Sequence, residues 1–228
     1  MKLSIIIPVY NEEKNIEKVI KAVRQAPITM DKEIIIVDDG SVDQTKQLIN
    51  RYSLDSEIKI CFQAKNQGKG AAIRKGLKIS TGDIILIQDA DMEYTVDDYP
   101  TILEPFIKEN AKVVFGSRFK GEITGMRWPN FVANKILTFT ANLLYGTHIS
   151  DEATAYKAFR SEVIKKIPLK CQRFEFCPEV TAKVAKRGYE IVDVPIRYHG
   201  RSIKDGKKIT WRDGMQAIWV LIKYRFID

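Results

Sequence analysis

The segment with the clearest chemical potential is 82–93, in which a short apolar run leads directly into three acidic residues. Residues 84–87 are four consecutive aliphatic residues, which predicts a strand buried on both faces. Asp89, Asp91 and Glu93 follow at alternate positions. In an extended chain such side chains point to one side. We therefore expect three carboxylates at the carboxyl end of a buried strand, where open α/β sheets bind their ligands.

Such a cluster repels itself unless a cation lies within it, and hard oxygen ligands suit Mg²⁺ or Mn²⁺. Mg²⁺ typically takes one or two carboxylates and completes its shell with water and substrate phosphate. An Asp-x-Asp pair by itself is more often only the solvated end of a strand. The choice between these two interpretations depends on the rest of the chain.

The composition favours one domain in a reducing compartment. The chain has 228 residues, 45% of them hydrophobic, which suffices for one large core. The first apolar run ends at Pro8 without a cleavage-site pattern, and no run reaches the ~18 apolar residues of a spanning helix. Cys61, Cys171 and Cys177 are odd in number and lack metal-ligand spacing, which predicts reduced thiols in a cytoplasmic protein.

The net charge of +8 narrows the classes of partner. A phosphorylated substrate, an anionic membrane surface and nucleic acid would each suit it, as would plain solubility. The sequence has neither zinc-finger spacing nor an aromatic RNA-binding signature, so nucleic acid is not an expected partner.

Strands and helices alternate along the first half of the chain. Apolar runs predict strands at 3–9, 33–37, 58–62 and 82–88. Helical patterns predict helices at 11–26, at 43–52 and from about 66–70 to 79, with Asn11 as the N-cap of the first. This alternation predicts an α/β fold with a doubly wound, mostly parallel sheet.

The second half is less regular. Predicted helices lie at 96–110, 131–145, 175–187 and 211–226, and predicted strands at 112–115 and 190–196. Helix 131–145 is apolar with few charges, and we expect it in the core rather than at a membrane. The last helix carries an apolar stripe with basic residues beside it, which suits either core packing or an anionic membrane surface. The stripe is Trp211, Met215, Ile218, Trp219 and Ile222, and the basic residues are Arg212, Lys223 and Arg225.

Two segments argue against common nucleotide-binding motifs. Gly68-Lys69-Gly70 lacks the Gly-Lys-Ser/Thr of a Walker loop and does not follow a first strand as Gly-x-Gly-x-x-Gly does. The first strand instead ends at 8–12 without any glycine, which argues against a nicotinamide enzyme. We expect these glycines to allow tight turning and helix packing beside a ligand.

The motifs come in the order and spacing of family-2 glycosyltransferases with the GT-A fold. They are Pro8-Val9-Tyr10-Asn11-Glu12, Val37-Asp38-Asp39-Gly40-Ser41, Asn66-x-Gly68-Lys69-Gly70 and Asp89-Ala90-Asp91. Gly116-Ser117-Arg118-Phe119 and segment 151–159 resemble, more narrowly, the dolichol-phosphate mannose synthase group. The resemblance covers residues 3–198. It implies a Rossmann-like, mostly parallel sheet flanked by helices with a C-terminal helix, and inverting sugar transfer that requires a divalent metal.

The resemblance also implies roles for individual residues. Pro8, Tyr10, Glu12 and Asp39 should hold the base and ribose, beside Gly68 and Lys69. Asp89 and Asp91 should lie at the ribose and metal, and Glu93 falls where relatives often have a metal-contacting residue. Arg118 should meet the acceptor phosphate. The implied organisation is a single domain over 1–228, with a nucleotide-binding half at 1–93, an acceptor half at 94–200, and a basic loop and C-terminal helix at 201–228.

The chain departs from the sequence pattern of this group in two places that bear on the acceptor. The group often has Thr-Ser/Thr-Gly-Phe-Arg after its aspartate, whereas this chain has Thr154-Ala155-Tyr156-Lys157. The basic loop 201–208 is longer than expected. The Gln-x-x-Arg-Trp motif of processive synthases is absent, so one sugar per turnover is predicted.

The nucleophile separates the possible acceptors. A polyprenyl phosphate of the dolichyl or undecaprenyl type is already ionised, so it needs cations, with Arg118 and Arg127 as candidates. A lipid or glycan hydroxyl needs a carboxylate to take its proton, with Asp151 or Glu152 as candidates. Asp151 is alternatively structural, tying its loop to the Arg201 segment. Arg201 and Lys204, with Lys207 and Lys208, are candidates to close over the diphosphate, unless the loop is only solvated.

The predicted protein therefore transfers a sugar from a GDP- or UDP-sugar to polyprenyl phosphate, with Mg²⁺ or Mn²⁺, at the inner face of a membrane that it does not span. A catalytically silent sugar-nucleotide-binding module is the alternative from another class.

Overall fold

The structure, a computed structural model, describes residues 1–201 and 211–227. In chain order the strands are β1 (Lys2–Val9), β2 (Asp31–Asp38), β3 (Ile58–Phe62), β4 (Ile84–Ile87), β5 (Val113–Ser117), β6 (Ile123–Thr124), β7 (Lys157–Arg160), β8 (Ile191–Pro195) and β9 (Tyr198–His199). The helices are α1 (Ile16–Arg24), α2 (Thr45–Asn50), α3 (Lys69–Ile79), α4 (Tyr99–Lys108), α5 (Trp128–Tyr145), α6 (Ser161–Ile164), α7 (Phe176–Lys186) and α8 (Trp211–Phe226).

Seven strands form the central sheet in the order β3-β2-β1-β4-β7-β5-β8. Only β7 within this sheet runs antiparallel to its neighbours, β4 and β5. A separate pair joins β6 to β9 in parallel. The predicted fold class, a mostly parallel sheet flanked by helices with a C-terminal helix, is confirmed.

The two-sided apolar strands explain this layering. In β4, Ile84 and Leu86 join the core on one face of the sheet, while Ile85 and Ile87 join the core on the other. Because side chains alternate along a strand, a strand covered on both faces needs an unbroken apolar run. The sequence pattern was sufficient to predict these strands.

A third apolar cluster lies outside the sheet, where α5, α7 and α8 pack together. The prediction that helix 131–145 is buried in the core is wrong for much of its surface. Leu137, Thr138 and Ala141 are buried, but Phe139 and Leu143 are among several large apolar side chains left exposed. Within the part of the chain that the structure describes, no helix has the length and apolar character needed to cross a membrane.

The start of α1 also differs from the prediction. Asn11 has a φ of 50° and is not its N-cap, and the helix begins at Ile16 after Asn15. The Asn11 side-chain oxygen instead accepts a hydrogen bond from the Val42 backbone amide at 2.9 Å, and the Asn11 backbone amide donates to the Ser41 hydroxyl. A contact with a distant loop therefore replaces the local capping expected from sequence.

Candidate active site

The acidic segment lies at the end of β4, where a polar network fixes the chain. Gln88 is buried directly after the strand. Its amide nitrogen donates to the Asp89 carbonyl at 2.9 Å, and its oxygen accepts from Tyr99 at 2.8 Å and Tyr156 at 2.6 Å. Sequence reasoning missed Gln88, although a lone polar residue between an aliphatic strand and Asp89 was a usable signal.

The three acidic side chains do not converge on one point as the sequence pattern predicted. The strand ends at Ile87, and Met92 has a φ of 61°, so the alternation of an extended chain stops before Glu93. Asp89 turns to Lys69, which donates to it at 2.7 Å. Across residues 1–201 and 211–227, no group of three or more His, Cys, Asp or Glu side chains is arranged as a metal site.

Asp91 and Glu93 instead share the guanidinium of Arg201 with Glu12. Nitrogen atoms of Arg201 lie 3.0 Å from Asp91 Oδ2, 3.3 Å from Glu12 Oε2 and 3.7 Å from Glu93 Oε1. The Arg201 backbone amide also donates to Glu93 at 2.9 Å. Arg201 therefore neutralises the carboxylates that the sequence assigned to metal and nucleotide binding.

Burial and the neighbouring carboxylates of Asp89 and Glu93 raise the pKa of Asp91 to about 7, against the opposing charge of Arg201. A second cation is therefore favourable here. Asp91 and Glu93 supply the one or two hard carboxylates that Mg²⁺ typically takes before phosphate and water complete its shell. This donor set fits a divalent cation bound together with a diphosphate.

The small β6–β9 sheet carries Arg201 to this position. Tyr198 in β9 donates to Glu93 Oε2 at 2.7 Å, and the Gly200 amide donates to Thr124 at 2.8 Å. Gly125 has a φ of 70°, and a Cβ atom there would lie 2.5 Å from the Gly200 carbonyl oxygen. Glycine at position 125 thus permits the approach that places Arg201 beside the acidic residues.

Asp39 organises the neighbouring loop at residues 63–70, here called the nucleotide-side loop because the resemblance assigns it to the nucleotide. Its carboxylate is buried and accepts from the Gln67 and Gly68 backbone amides at 2.8 and 2.7 Å, and from the Gln63 side chain at 2.7 Å. Burial is the main cause that raises the pKa of Asp39, although these amides oppose it. Gly68 has a φ of 99°, and a Cβ atom there would meet the Gln172 carbonyl. The glycine-rich segment therefore forms the tight turn that the sequence predicted. Its contact with Asp39 was not predicted.

The first-strand residues lie beside this loop. Pro8 is buried within β1, and Tyr10 is half-buried just beyond the strand. The Asp39 amide donates to the Val9 carbonyl at 2.8 Å, which joins the ends of β1 and β2. The structure thus brings Pro8, Tyr10 and Asp39 to one edge of the sheet. Glu12, Asp89, Lys69 and Arg201 lie at the same edge.

Arg118 and Asp151 form a buried pair. Arg118 donates from Nε at 2.6 Å, from a terminal nitrogen at 2.7 Å and from its backbone amide at 3.0 Å, so both Asp151 oxygens are engaged. The guanidinium also lies over the Tyr198 ring at 5.1 Å. The loop is thereby tied to Arg118. In the segment that the sequence suggested as its partner, the structure describes Arg201, which pairs with Glu12, Asp91 and Glu93 instead. Of the two roles left open for Asp151, this geometry favours the structural one.

The remaining candidates are less well placed. Glu152 is fully buried, and burial raises its pKa. Thr181 donates to one of its oxygens, while the other has no hydrogen-bond partner in the part of the chain that the structure describes. Arg127 is exposed at the N-cap of α5. Lys204, Lys207 and Lys208 lie outside the described residues.

A comparison of the chain with protein families agrees with this arrangement. The sequence profile described as Glycosyl transferase family 2 matches residues 4–168, which contain the nucleotide-side loop, the acidic segment and Asp151. The chain belongs to glycosyl transferase family 2.

Curated relatives extend the comparison over most of the chain. A dolichol-phosphate mannosyltransferase of Pyrococcus furiosus is 29% identical over 98% of this chain and 64% of its own length. A dolichyl-phosphate β-glucosyltransferase of Trichomonas vaginalis is 32% identical over 86% of this chain and 65% of its own length. A UDP-N-acetylglucosamine–dolichyl-phosphate N-acetylglucosaminyltransferase of Methanococcus voltae is 30% identical, with coverages of 91% and 93%. The chain thus spans slightly less than two thirds of the first two relatives and nearly all of the third.

Solved structures agree on the fold. Glucosyl-3-phosphoglycerate synthase from Mycobacterium tuberculosis, in complex with Mn²⁺, UDP and phosphoglyceric acid, has a TM-score of 0.75 to this chain. The match covers 100% of this chain and 79% of that one, at 18% identity. This similarity confirms the GT-A fold.

Proposed function

We propose that this protein transfers one sugar from a nucleotide-sugar donor to a polyprenyl phosphate, with inversion and with a divalent metal. The relatives named above differ in the sugar they transfer, yet all three names contain dolichyl or dolichol phosphate. Their common feature is the acceptor. The names therefore support a polyprenyl phosphate acceptor while leaving GDP- and UDP-sugars open as donors.

The observation that carries the choice of acceptor is the buried pair of Arg118 and Asp151. A hydroxyl acceptor needs a carboxylate free to take its proton. Both oxygens of Asp151 are held by Arg118, and the side chains of Asp151 and of Glu152, the other candidate base, are completely buried. An ionised phosphate needs no such base. The pair therefore supports a phosphate nucleophile with Arg118 held in one orientation.

The donor would lie across the carboxyl-terminal ends of β1, β2 and β4. Pro8, Tyr10, Glu12 and Asp39 would hold the base and ribose, with Gly68 and Lys69 beside them and Asp89 at the ribose. Asp91 and Glu93 would hold Mg²⁺ or Mn²⁺, which when bound would act as a Lewis acid on the diphosphate. The Mn²⁺ and UDP in the mycobacterial structure support this choice of cofactor.

Arg201 would supply positive charge for the leaving group. In the structure its guanidinium pairs with Glu12, Asp91 and Glu93. A bound donor offers phosphate oxygens to the same guanidinium, and leaving-group charge grows as the glycosidic bond breaks. Cationic groups placed before the reaction stabilise such developing charge. Lys204 is a further candidate from the adjoining segment.

The reaction is a single displacement. An oxygen of the acceptor phosphate forms a bond to the anomeric carbon while the bond to the diphosphate oxygen breaks, so the anomeric configuration inverts. Arg118, and Arg127 at the start of α5, would orient the acceptor. We further propose that the reaction takes place at the cytoplasmic, inner face of a membrane, because the three cysteines are free thiols that suit a reducing compartment.

A comparison of two variants tests this proposal. Purified protein with Mn²⁺, polyprenyl phosphate and each of GDP-mannose, UDP-glucose and UDP-N-acetylglucosamine should yield a lipid-extractable sugar product with at least one donor. Arg118→Ala should lose far more turnover than Asp151→Asn, measured at a temperature where both remain folded. A general base typically contributes about 10²–10⁴-fold in rate. If Asp151→Asn is nearly inactive while Arg118→Ala keeps its turnover, the hydroxyl alternative is correct. If no donor is turned over but nucleotide binds, the protein is a binding module.

A further inference from the structure

Helices α5 and α8 each expose a stripe of five large apolar residues with the same spacing. In both helices the stripe advances by four, four, three and four residues, which keeps its members on one side of a helix. Each of these ten side chains is between 37% and 80% exposed. The stripes are Trp128, Val132, Ile136, Phe139 and Leu143 on α5, and Trp211, Met215, Trp219, Ile222 and Phe226 on α8. We call this ten-residue surface the apolar face.

The two helices that carry the stripes contact each other, and both stripes are exposed. The buried residues of α5 and of α8 lie on the opposite side of each helix from its stripe, at 3.6 residues per turn. Those buried sides pack into one cluster with α7, and α5 also contacts α8. Both stripes therefore face away from α7, toward solvent. Exposed apolar surface of this extent on two helices in contact indicates an interaction site.

The charges around the apolar face indicate what covers it. Helix α5 has no acidic residue and one basic residue, Lys135. Helix α8 has Arg212, Lys223 and Arg225, all exposed, against a single acidic residue, Asp213. A basic amphipathic helix with tryptophan on its apolar side suits the interface of an anionic bilayer. A second copy is less suitable, because a twofold contact would bring the same basic borders together.

Aromatic contacts join this face to the candidate active site. Trp128 stacks on Phe131 with ring centroids 5.5 Å apart, and Phe131 meets Phe119 edge-on at 5.2 Å. Phe119 follows Arg118, the candidate ligand of the acceptor phosphate. A lipid whose phosphate meets Arg118 would therefore have its membrane beside the start of α5.

We propose that the apolar face is the surface by which the protein docks on an anionic lipid bilayer. The proposal deepens the proposed function and rests on it for the identity of the acceptor, but the docking itself requires neither donor nor turnover. The face lies on the bilayer, and its basic borders contact anionic headgroups.

Vesicle binding by the full chain tests this directly. The three tryptophans of the sequence all lie on the apolar face, so intrinsic fluorescence reports docking without a label. Vesicles of phosphatidylcholine containing about a third phosphatidylglycerol should shift the emission to shorter wavelength and float with the protein. Pure phosphatidylcholine should bind less, and added salt should weaken only the binding to anionic vesicles.

Matched charge substitutions identify the surface. Phe139→Glu and Trp219→Glu should each weaken vesicle binding about tenfold or more, because each removes a large side chain from the lipid contact. Ala133→Glu and Gln216→Glu add the same charge at exposed positions of the same helices outside the stripes, and should cost about fivefold or less. Equal losses in both sets would overturn the assignment of the face, as would unchanged binding in the first set.

Two further measurements separate the alternatives. Light scattering should give the same molar mass for Trp219→Glu and the parent protein. A dimer that Trp219→Glu dissociates would instead make the face an interface between copies. Transfer to a short-chain, water-soluble polyprenyl phosphate should be unchanged in Phe139→Glu and Trp219→Glu. If the parent protein binds vesicles but transfers no sugar, the proposed function fails while the docking proposal stands. If it transfers sugar but does not bind vesicles, the reverse holds.

Discussion

The substitution Asp151→Asn should strongly destabilise the protein. Asp151 accepts three hydrogen bonds from Arg118, at 2.6, 2.7 and 3.0 Å, with its carboxylate fully buried and Arg118 nearly so. An asparagine would point an amide donor at guanidinium donors and leave the buried positive charge uncompensated. Breaking a buried ion pair by removing one partner typically costs about 3–5 kcal/mol. For a chain of this length that lowers the melting temperature by about 6–20 °C.

Thermal unfolding followed by circular dichroism, with chemical denaturation for the free energy of unfolding, measures this effect. Glu162→Gln is the matched control, since it removes an exposed ion pair with Lys112 and should leave the melting temperature almost unchanged. The double variant Arg118→Met/Asp151→Leu should recover part of the loss, because it leaves no buried charge unpaired. Equal, small shifts in Asp151→Asn and Glu162→Gln would refute the assignment of Asp151 as the residue that holds Arg118.

Three further predictions follow from the acidic residues. Asp91→Ala should abolish transfer and the metal-dependent part of donor binding, whereas Asp89→Ala should weaken nucleotide binding even without metal; calorimetry showing unchanged Mn²⁺-dependent affinity in Asp91→Ala would contradict this. Arg201→Ala should strengthen Mn²⁺ binding in the absence of donor by about tenfold or more, because the Arg201 guanidinium competes with the metal for the carboxylates and repulsion between two cations ~4 Å apart amounts to a few kcal/mol. Sugar transfer by this variant should fall. Weaker Mn²⁺ binding in calorimetry would contradict the prediction. Burial opposes ionisation of Glu33, but Lys59, Ser4 and Thr81 more than offset it, so the pKa of Glu33 lies well below its ordinary value. The ionised Glu33 side chain stabilises the folded protein fully above its unfolded pKa of about 4.3, and this stabilisation is lost as the pH falls below that value. The difference in free energy of unfolding between the parent protein and Glu33→Gln should therefore shrink from pH 6 to pH 3. A difference that stays constant over this range would contradict the prediction.

The sequence predicted the central sheet because the strands are encoded locally. The continuous apolar runs of β1, β2 and β4 indicate that both faces of the sheet are covered by other elements. The tight turn at Gly68 was likewise foreseeable, since only glycine adopts its backbone conformation without strain. These features depend on residues close in sequence or on a pattern with a fixed period.

The features that the sequence did not predict depend on distant partners. The alternation of Asp89, Asp91 and Glu93 predicts convergence only while the chain stays extended, and the structure leaves that conformation at Met92. Arg201 reaches the carboxylates through the pairing of β6 with β9, which no local pattern encodes. Helix α5 is as apolar as a core helix, and its own sequence does not indicate that only one side packs against α7 and α8.

A competition between acceptors tests the central claim most directly. The purified chain, Mn²⁺ and the donor that it turns over are mixed with equal amounts of a polyprenyl phosphate and the polyprenol of the same chain length. The only difference between the two lipids is then an ionised phosphate against a hydroxyl. Mass spectrometry of the lipid extract should find the glycosyl phosphodiester alone, with the anomeric configuration of the donor inverted. A glycosylated polyprenol as the main product would contradict the account.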